Sequence, residues 1–517
     1  MKKTLFLLVA GAMSCNSSQK TVTDVVTEEA STVTSEISFA ETITEAELKD
    51  HLYIYASDEF EGRETGQPGQ KKAVAYLKAE YEKLGIPAAK KDGNYFQEVP
   101  LEVSKLPIGK LTVNGTDFAV GEHVLTFSAA NTFTDDIVYV AYGIDDDNYS
   151  NYNELDVKGK IVLMKSGEPK NADGTFVISG TAETSNWSNM SESLTKRVQI
   201  AMDKGALGVL YYDADNFSRF KRRFESMKKN NSGRMEVVDN STPEFYNLFI
   251  DQTLAKSFLS TIDTDDKPQI LSKKLQLSFE SSNDKISSEN VTAILKGSEK
   301  PNEYLVISSH LDHIGITGDG EINNGADDDG SGTVALLEIA EAFKKAADAG
   351  NGPKRSIVFL HVTGEEKGLL GSQYYTDVDP IVPLTNTVAN LNIDMIGRID
   401  PKREGDRNYI YLIGSDKLSL ELHNLSEEVN KKFTNIELDY TYNDENDPNR
   451  FYYRSDHYNF AKNNIPIIFY FNGTHADYHR PSDTPDKINY DLLENRSRLI
   501  FHTAWEITNR ENKLKVD

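Results

Sequence analysis

From residue 290 onward the chain alternates between short apolar runs and polar turns. The runs NVTAILKG, EYLVISSH, RSIVFLHVTG, VANLNIDMIG and IPIIFYFNG are strand-like in length and rich in β-branched residues. Between the second and third of them, GTVALLEIAEAFKKAA carries apolar residues at helical spacing. Several runs are apolar at consecutive rather than alternate positions, which predicts a sheet covered by helices on both faces. Upstream, EAELKDHLYIYAS and QKKAVAYLKAEYEKLG predict helices, the second stopped by Gly85 and Pro87. The segment DEFEGRETGQPG between them is a turn-rich loop. Residues from about 130 to 283 differ: DIVYVAYG and GKIVLMKSG read as strands, and KRVQIAMDKGALGVLYYDAD as a helix running into a strand. Residues 16–42, rich in Ser, Thr, Val and Glu without Pro or Gly, read as a flexible tether. No internal repeat is visible.

Charge narrows the classes of function. The 517 residues include 81 acidic and 56 basic side chains, a formal net charge of −25. That balance argues against nucleic-acid binding, which wants basic patches. The N-terminus, MKKTLFLLVAGAMSCNSSQ, has a basic start, a short apolar run and small residues before Cys15, the only cysteine. The run is too short to span a bilayer, and no other stretch is long enough. The pattern resembles a bacterial lipoprotein signal, with Cys15 as the acylated residue; an ordinary secretory signal is the alternative. The expectation is an exported protein held at the cell envelope, with a Gram-negative outer membrane favoured. With one cysteine there is no disulfide and no cysteine-based zinc site, so any metal must be held by His, Asp and Glu.

Candidate ligands cluster late in the chain: eight of the ten histidines lie between His310 and His502. His310 and Asp312 follow an apolar strand, Glu365 and Glu366 the next, and Asp394 ends another; His475 and His479 stand in a polar loop. Strand carboxyl ends in open α/β sheets share a crevice where sites are built. His310, Asp328, Glu366, Asp394 and His479 supply three carboxylates and two imidazoles, a suitable set for two divalent cations. A water between such cations is acidified, and the spare glutamate of the pair can take its proton. Taken singly, a histidine is more often a hydrogen bonder than a ligand, and a Glu-Glu pair more often a solvated helix face. The Glu-Glu pair follows an apolar strand and is flanked by glycines, and Asp394 ends an apolar strand where an unpaired carboxylate is costly, so the joint reading is favoured. The run EINNGADDDGSGTVALLE also approximates a calcium loop ending at Glu338. It lacks an entering helix and a partner loop, and Glu338 fits a polar surface position on the helix.

HLD, NNGADDDGSG, TGEEKGLLGS, LNIDMIG, RSDHYNFAKNNIPIIFYFNG and DYHRPSDTPDKI together resemble the bacterial co-catalytic di-zinc aminopeptidase family. Its relatives include glutamate carboxypeptidase-like and glutaminyl cyclase-like proteins. SDEFEGRETGQPG extends the resemblance toward the N-terminus. It implies a three-layer α/β/α zinc-peptidase fold with a mixed central sheet. It also implies two zinc ions and peptide substrates. Asp328 is the implied bridging ligand; His310 and Asp394 complete one zinc site, Glu366 and His479 the other. Glu365 is the implied general base, Asp312 orients His310, and Tyr478 assists the oxyanion. A cis peptide between Asp328 and Asp329 is also implied, with Asp327 the least constrained of the three. His475 and His457 are assigned to loop support rather than to metal.

DVKGKIVLMKSGEP followed by AMDKGALGVLYY resembles the mostly β protease-associated domain often inserted in this family. The expected organisation is a signal at 1–14, a tether at 15–42, peptidase segments at 43–129 and 284–517, and the inserted domain at 130–283. The neighbouring carboxypeptidase and deacylase family shares the ligand order but usually inserts a dimerisation domain in its later half. Glutaminyl cyclase shares much of the ligand set. A catalytically inactive binding protein is the reading from another class, opposed by the retention of all five ligands and the base.

Overall fold

The computed structural model describes residues 36–147, 149–229, 233–238 and 245–517. The expected signal, Cys15 and most of the tether lie outside the described residues. The chain divides into two compact units, one comprising the chain up to Gln97 with Glu289–Asp517, the other Glu98–Ser288.

The second unit starts at Glu98, not at the expected residue 130, and ends at Ser288, not at 283. Strand pairing explains the shift. Ile108–Val113 pairs antiparallel with the distant Gln269–Glu280, and Thr116–Ala119 pairs with Ile108–Val113. These short strands find their partners only within the second unit. They belong to an eight-stranded sheet that also contains the buried parallel strands Ile161–Lys165 and Gly208–Tyr212.

In the first unit we label the strands β1 (Asp284–Leu295, which enters this unit at Glu289), β2 (Lys300–His310), β3 (Arg355–Val362), β4 (Thr387–Ile393), β5 (Tyr409–Ile413), β6 (Glu437–Asp439) and β7 (Ile467–Phe471). Their order is β1-β3-β2-β4-β7-β5-β6. β2 runs parallel to β3 and β4, β4 to β7, and β5 to β6, while β1 is antiparallel to β3 and β5 to β7. The main helices are α1 (Glu45–Tyr55), α2 (Pro68–Leu84), α3 (Gly332–Asp348), α4 (Leu420–Phe433) and α5 (Tyr490–Asn509). Along β2, Leu305 and Ile307 point into one core with Val334, Phe343, Ile500 and Phe501; Val306 points into another with Tyr375 and Phe460. The unit is therefore the three-layer α/β/α arrangement expected, with a mixed sheet.

Local signals explain the helix ends. The Thr44 side chain accepts from the Glu47 N–H at the start of α1. Gly85, with a left-handed φ of 70°, turns the chain at the end of α2.

Two sequence expectations fail here. Residues 36–40 are helical rather than tether: Glu36 is buried against His502, Nδ1 to Oε1 2.6 Å, and Phe39 stacks on Trp505. Glu338 is not a surface position. It is 1% exposed and faces His51 Nε2 at 3.4 Å, because α1 covers that side of α3. No described helix is long and apolar enough to cross a membrane.

Candidate metal centre

Four parallel strands deliver the expected residues to one place. β2 ends at His310; Glu365 and Glu366 follow β3; Asp394 follows β4; His479 lies in the loop after β7. Asp328 comes from the turn Ala326–Ser331 that leads into α3. His310 Nε2 lies 3.2 Å from Asp328 Oδ1 and 3.6 Å from Asp394 Oδ1. His479 Nε2 lies 3.1 Å from Asp328 Oδ2 and 3.2 Å from Glu366 Oε2. The two oxygens of Asp328 thus face two different imidazoles, as a bridging carboxylate would.

The donor atoms of His310, Asp328 and Asp394 all lie within 4.8 Å of one another, and so do those of His313, Asp328 and Glu366. His313 is the residue that sequence reasoning missed. The signal was in the run LVISSHLDH, residues 305–313, which ends on a second histidine.

The residues fit a pair of divalent cations on structural grounds. His310 Nε2, Asp328 Oδ2 and Glu366 Oε1 are buried and have no hydrogen-bond partner. Leaving such atoms unpaired costs free energy, so their convergence marks a place for a ligand. Burial opposes charge on His479, but the Asp328 and Glu366 carboxylates outweigh it and raise this imidazole to about 10. Burial likewise opposes charge on Glu366, yet His313 and His479 hold its carboxyl at about 2. Burial pushes the Glu365 carboxyl well above the usual carboxylate range.

The supporting contacts are precise. Asp312 meets His310 Nδ1 through its main-chain carbonyl at 3.1 Å, whereas its carboxylate is 3.9 Å away. That carboxylate instead accepts the Glu365 N–H (3.1 Å) and the Thr65 hydroxyl (2.8 Å), so Asp312 also holds the loop that carries Glu365. The Asp328–Asp329 peptide is cis, as the family pattern implies. The Asp329 carboxylate accepts main-chain N–H groups from His310 (3.1 Å), Gly332 (3.0 Å) and Met395 (3.0 Å). A Cβ at Gly332 would come within 2.4 Å of that carboxylate.

Asp327, expected to be the least constrained of the triplet, is fully buried. It accepts from Gly397 N at 2.7 Å and faces His475 Nε2 at 3.1 Å. The sequence places it beside Asp328 but does not show that its side chain turns away toward the His475 loop. His457 meets the Tyr452 carbonyl through Nε2 at 2.8 Å. The Ser455 hydroxyl donates to Asp394 Oδ2 at 2.6 Å and accepts from Asn392 Nδ2 at 2.9 Å, a brace not foreseen.

A cavity beside the donors is lined by Asp328, Glu365, Asp394, Phe451, Arg454 and Tyr478. The Tyr478 ring stacks on His479, with centroids 3.9 Å apart.

Parts of the chain are similar to known proteins. Residues 290–504 match the model of Peptidase family M28. The chain is 24% identical to a probable leucine aminopeptidase 2 of Aspergillus oryzae over 90% of this chain and 83% of that protein. It is 25% identical to aminopeptidase YwaD of Bacillus subtilis over 44% of this chain and 47% of the relative. A probable glutamate carboxypeptidase of Arabidopsis thaliana is 33% identical over 20% of this chain and 14% of its own length. A probable zinc metalloprotease of Pyrenophora teres f. teres is 39% identical over 21% of this chain, and the match spans 22% of that protein. Among solved structures, a zinc aminopeptidase from Bacillus subtilis superposes with a TM-score of 0.46 at 18% identity, covering 92% of this chain and 97% of the other.

Proposed function

We propose that this chain is a zinc metallo-exopeptidase that removes N-terminal residues from peptides. The observation that carries the reading is the set of buried, unpartnered donors around Asp328, with Glu365 at the edge of the same cavity. The Peptidase family M28 match over these residues and the aminopeptidases among the relatives support it. His310, Asp328 and Asp394 would hold one zinc ion, and Asp328, Glu366 and His479 the other. Bound there, two zinc ions would supply Lewis acidity toward a peptide carbonyl and lower the pKa of a water between them.

The chain's own groups do the rest. Glu365 takes the proton of the attacking water at its carboxylate and returns it to the leaving amine. Tyr478 offers its hydroxyl to the developing oxyanion. Asp312 fixes Glu365 through the main chain, and Ser455 fixes Asp394. The acidic groups that line the cavity, Asp328, Glu365 and Asp394, would suit a free N-terminal ammonium, which favours exopeptidase over endopeptidase action.

The test is a substrate panel with zinc-loaded protein. Release of chromophore from aminoacyl substrates is expected. Cyclisation of N-terminal glutamine peptides alone would make the protein a glutaminyl cyclase. Release of C-terminal residues or acyl groups alone would make it a carboxypeptidase or deacylase, and binding without turnover a binding protein. We read the second unit as the inserted protease-associated domain. Export and acylation at Cys15 complete the reading: labelled fatty acid is expected in the wild type and absent from Cys15→Ala.

A further inference from the structure

His313 is fully buried, and neither ring nitrogen has a hydrogen-bond partner. Its Nδ1 lies 2.9 Å from Glu366 Oε1 and 3.8 Å from Asp328 Oδ2. Both of those oxygens also lack a hydrogen-bond partner. A nitrogen and an oxygen this close, buried and yet not aligned for a hydrogen bond, share the geometry of donors aimed at a common third atom. Zinc–donor distances of about 2.0–2.2 Å would place two donors with this separation at roughly a right angle around a cation.

The backbone makes deliberate room for the ring. Gly325 has a left-handed φ of 55°, and a Cβ there would come within 2.6 Å of the imidazole. The main-chain N–H of His313 donates to the Arg63 carbonyl at 3.3 Å, anchoring the residue from the far side. The His313 and His479 rings stand edge to face with centroids 5.8 Å apart, so the two imidazoles approach Glu366 from different directions.

We infer that His313 is a protein ligand of the cation held by Asp328, Glu366 and His479. The inference rests on the metallopeptidase reading above. It makes the two positions unequal. One has three protein ligands, His310, Asp328 and Asp394, and keeps a free coordination position. The other has four and would hold its ion more tightly, with the shared water as a fifth donor. The four-ligand position fills first and empties last.

X-ray absorption on the full chain loaded with zinc counts the imidazoles directly. With two ions bound, the expected count is three imidazoles for every two ions, falling to two in His313→Ala or His313→Asn. Circular dichroism and Trp505 fluorescence check that each variant remains folded. Stepwise chelator competition is expected to show at least a tenfold weakening of the tighter site in either variant. Two zinc ions with only two imidazoles in the wild type, or a count unmoved by the substitutions, overturns the role of His313 and leaves the peptidase reading standing. A wild-type chain that takes up no zinc overturns both.

Discussion

Replacing Arg63 with methionine tests how the centre is held in place. Arg63 is 1% exposed and lies in the turn between α1 and α2. Its guanidinium donates to four main-chain carbonyls: Nη1 to Asn324 (2.6 Å) and Tyr55 (3.3 Å), Nη2 to Gly325 (3.0 Å), and Nε to Leu311 (3.2 Å). It also lies over the Tyr55 ring at 4.7 Å. Leu311 sits between His310 and Asp312, and Asn324 and Gly325 lead into the aspartate triplet, so one side chain braces both approaches to the centre. Methionine keeps much of the volume and removes every donor. A hydrogen bond to a charged group contributes about 1.5–3 kcal/mol, and a carbonyl left buried without a donor adds its own penalty. The two shorter bonds dominate, and the relief of no longer burying a charge offsets part of the loss. The expected destabilisation of the first unit is about 4 kcal/mol, with Arg63→Lys costing about half of that. The two tryptophans allow a clean assay, since Trp505 is in the first unit and Trp187 in the second. In a Trp187→Phe background, urea unfolding followed by fluorescence reports the first unit alone. A shift below about 1 kcal/mol would refute the bracing argument, because even one lost bond of this kind exceeds it.

Three further outcomes are expected. Glu365→Gln should retain the wild-type zinc content while turnover of aminoacyl substrates falls by about 10²–10⁴, the range of a general base; turnover at the wild-type rate would remove Glu365 from the mechanism. With His479 raised to about 10 in the metal-free protein, zinc binding at pH 7.5 must displace its proton, so affinity should increase with pH up to about 10. Titration calorimetry in buffers of different ionisation enthalpy checks this, and no net proton release would contradict it. Burial works against protonation of His475, but Asp327 prevails and raises its pKa. The stability this pair contributes is therefore complete below about pH 6.5 and lost as pH rises through the folded-state value. The stability difference between wild type and His475→Gln should be larger at pH 6 than at pH 9, and an equal difference would argue against the pair.

Much of the first unit could be read from the sequence because its strands are apolar on both faces and its helices keep a clear period. The five candidate ligands were legible too: four end a strand or stand in a glycine-flanked turn and His479 lies in a polar loop after a strand, where chain order predicts a shared crevice. Long-range side-chain direction was not. Asp327, Asp328 and Asp329 are consecutive, yet one carboxylate faces His475, one faces two imidazoles and one gathers main-chain N–H groups. Arg63 lies in a segment that carried the family resemblance, but nothing local says that its partners are carbonyls some 260 residues away. Glu338 looked like a surface residue because its cover, α1, is separated from it in the chain by the whole second unit. The start of that unit was misplaced for the same reason, since Ile108–Val113 pairs with a strand more than 150 residues later.

The Asp329 carboxylate joins the end of β2, the second residue after β4 and the start of α3 through main-chain groups alone. The spacing of His310 and Asp394 is thereby independent of the loops that line the cavity. Residues such as Phe451 and Arg454 can be exchanged, lengthened or reshaped without moving the reacting groups. The arrangement separates inheritance into two parts: a clasp under strong constraint, and a rim free to diverge as the available peptides change.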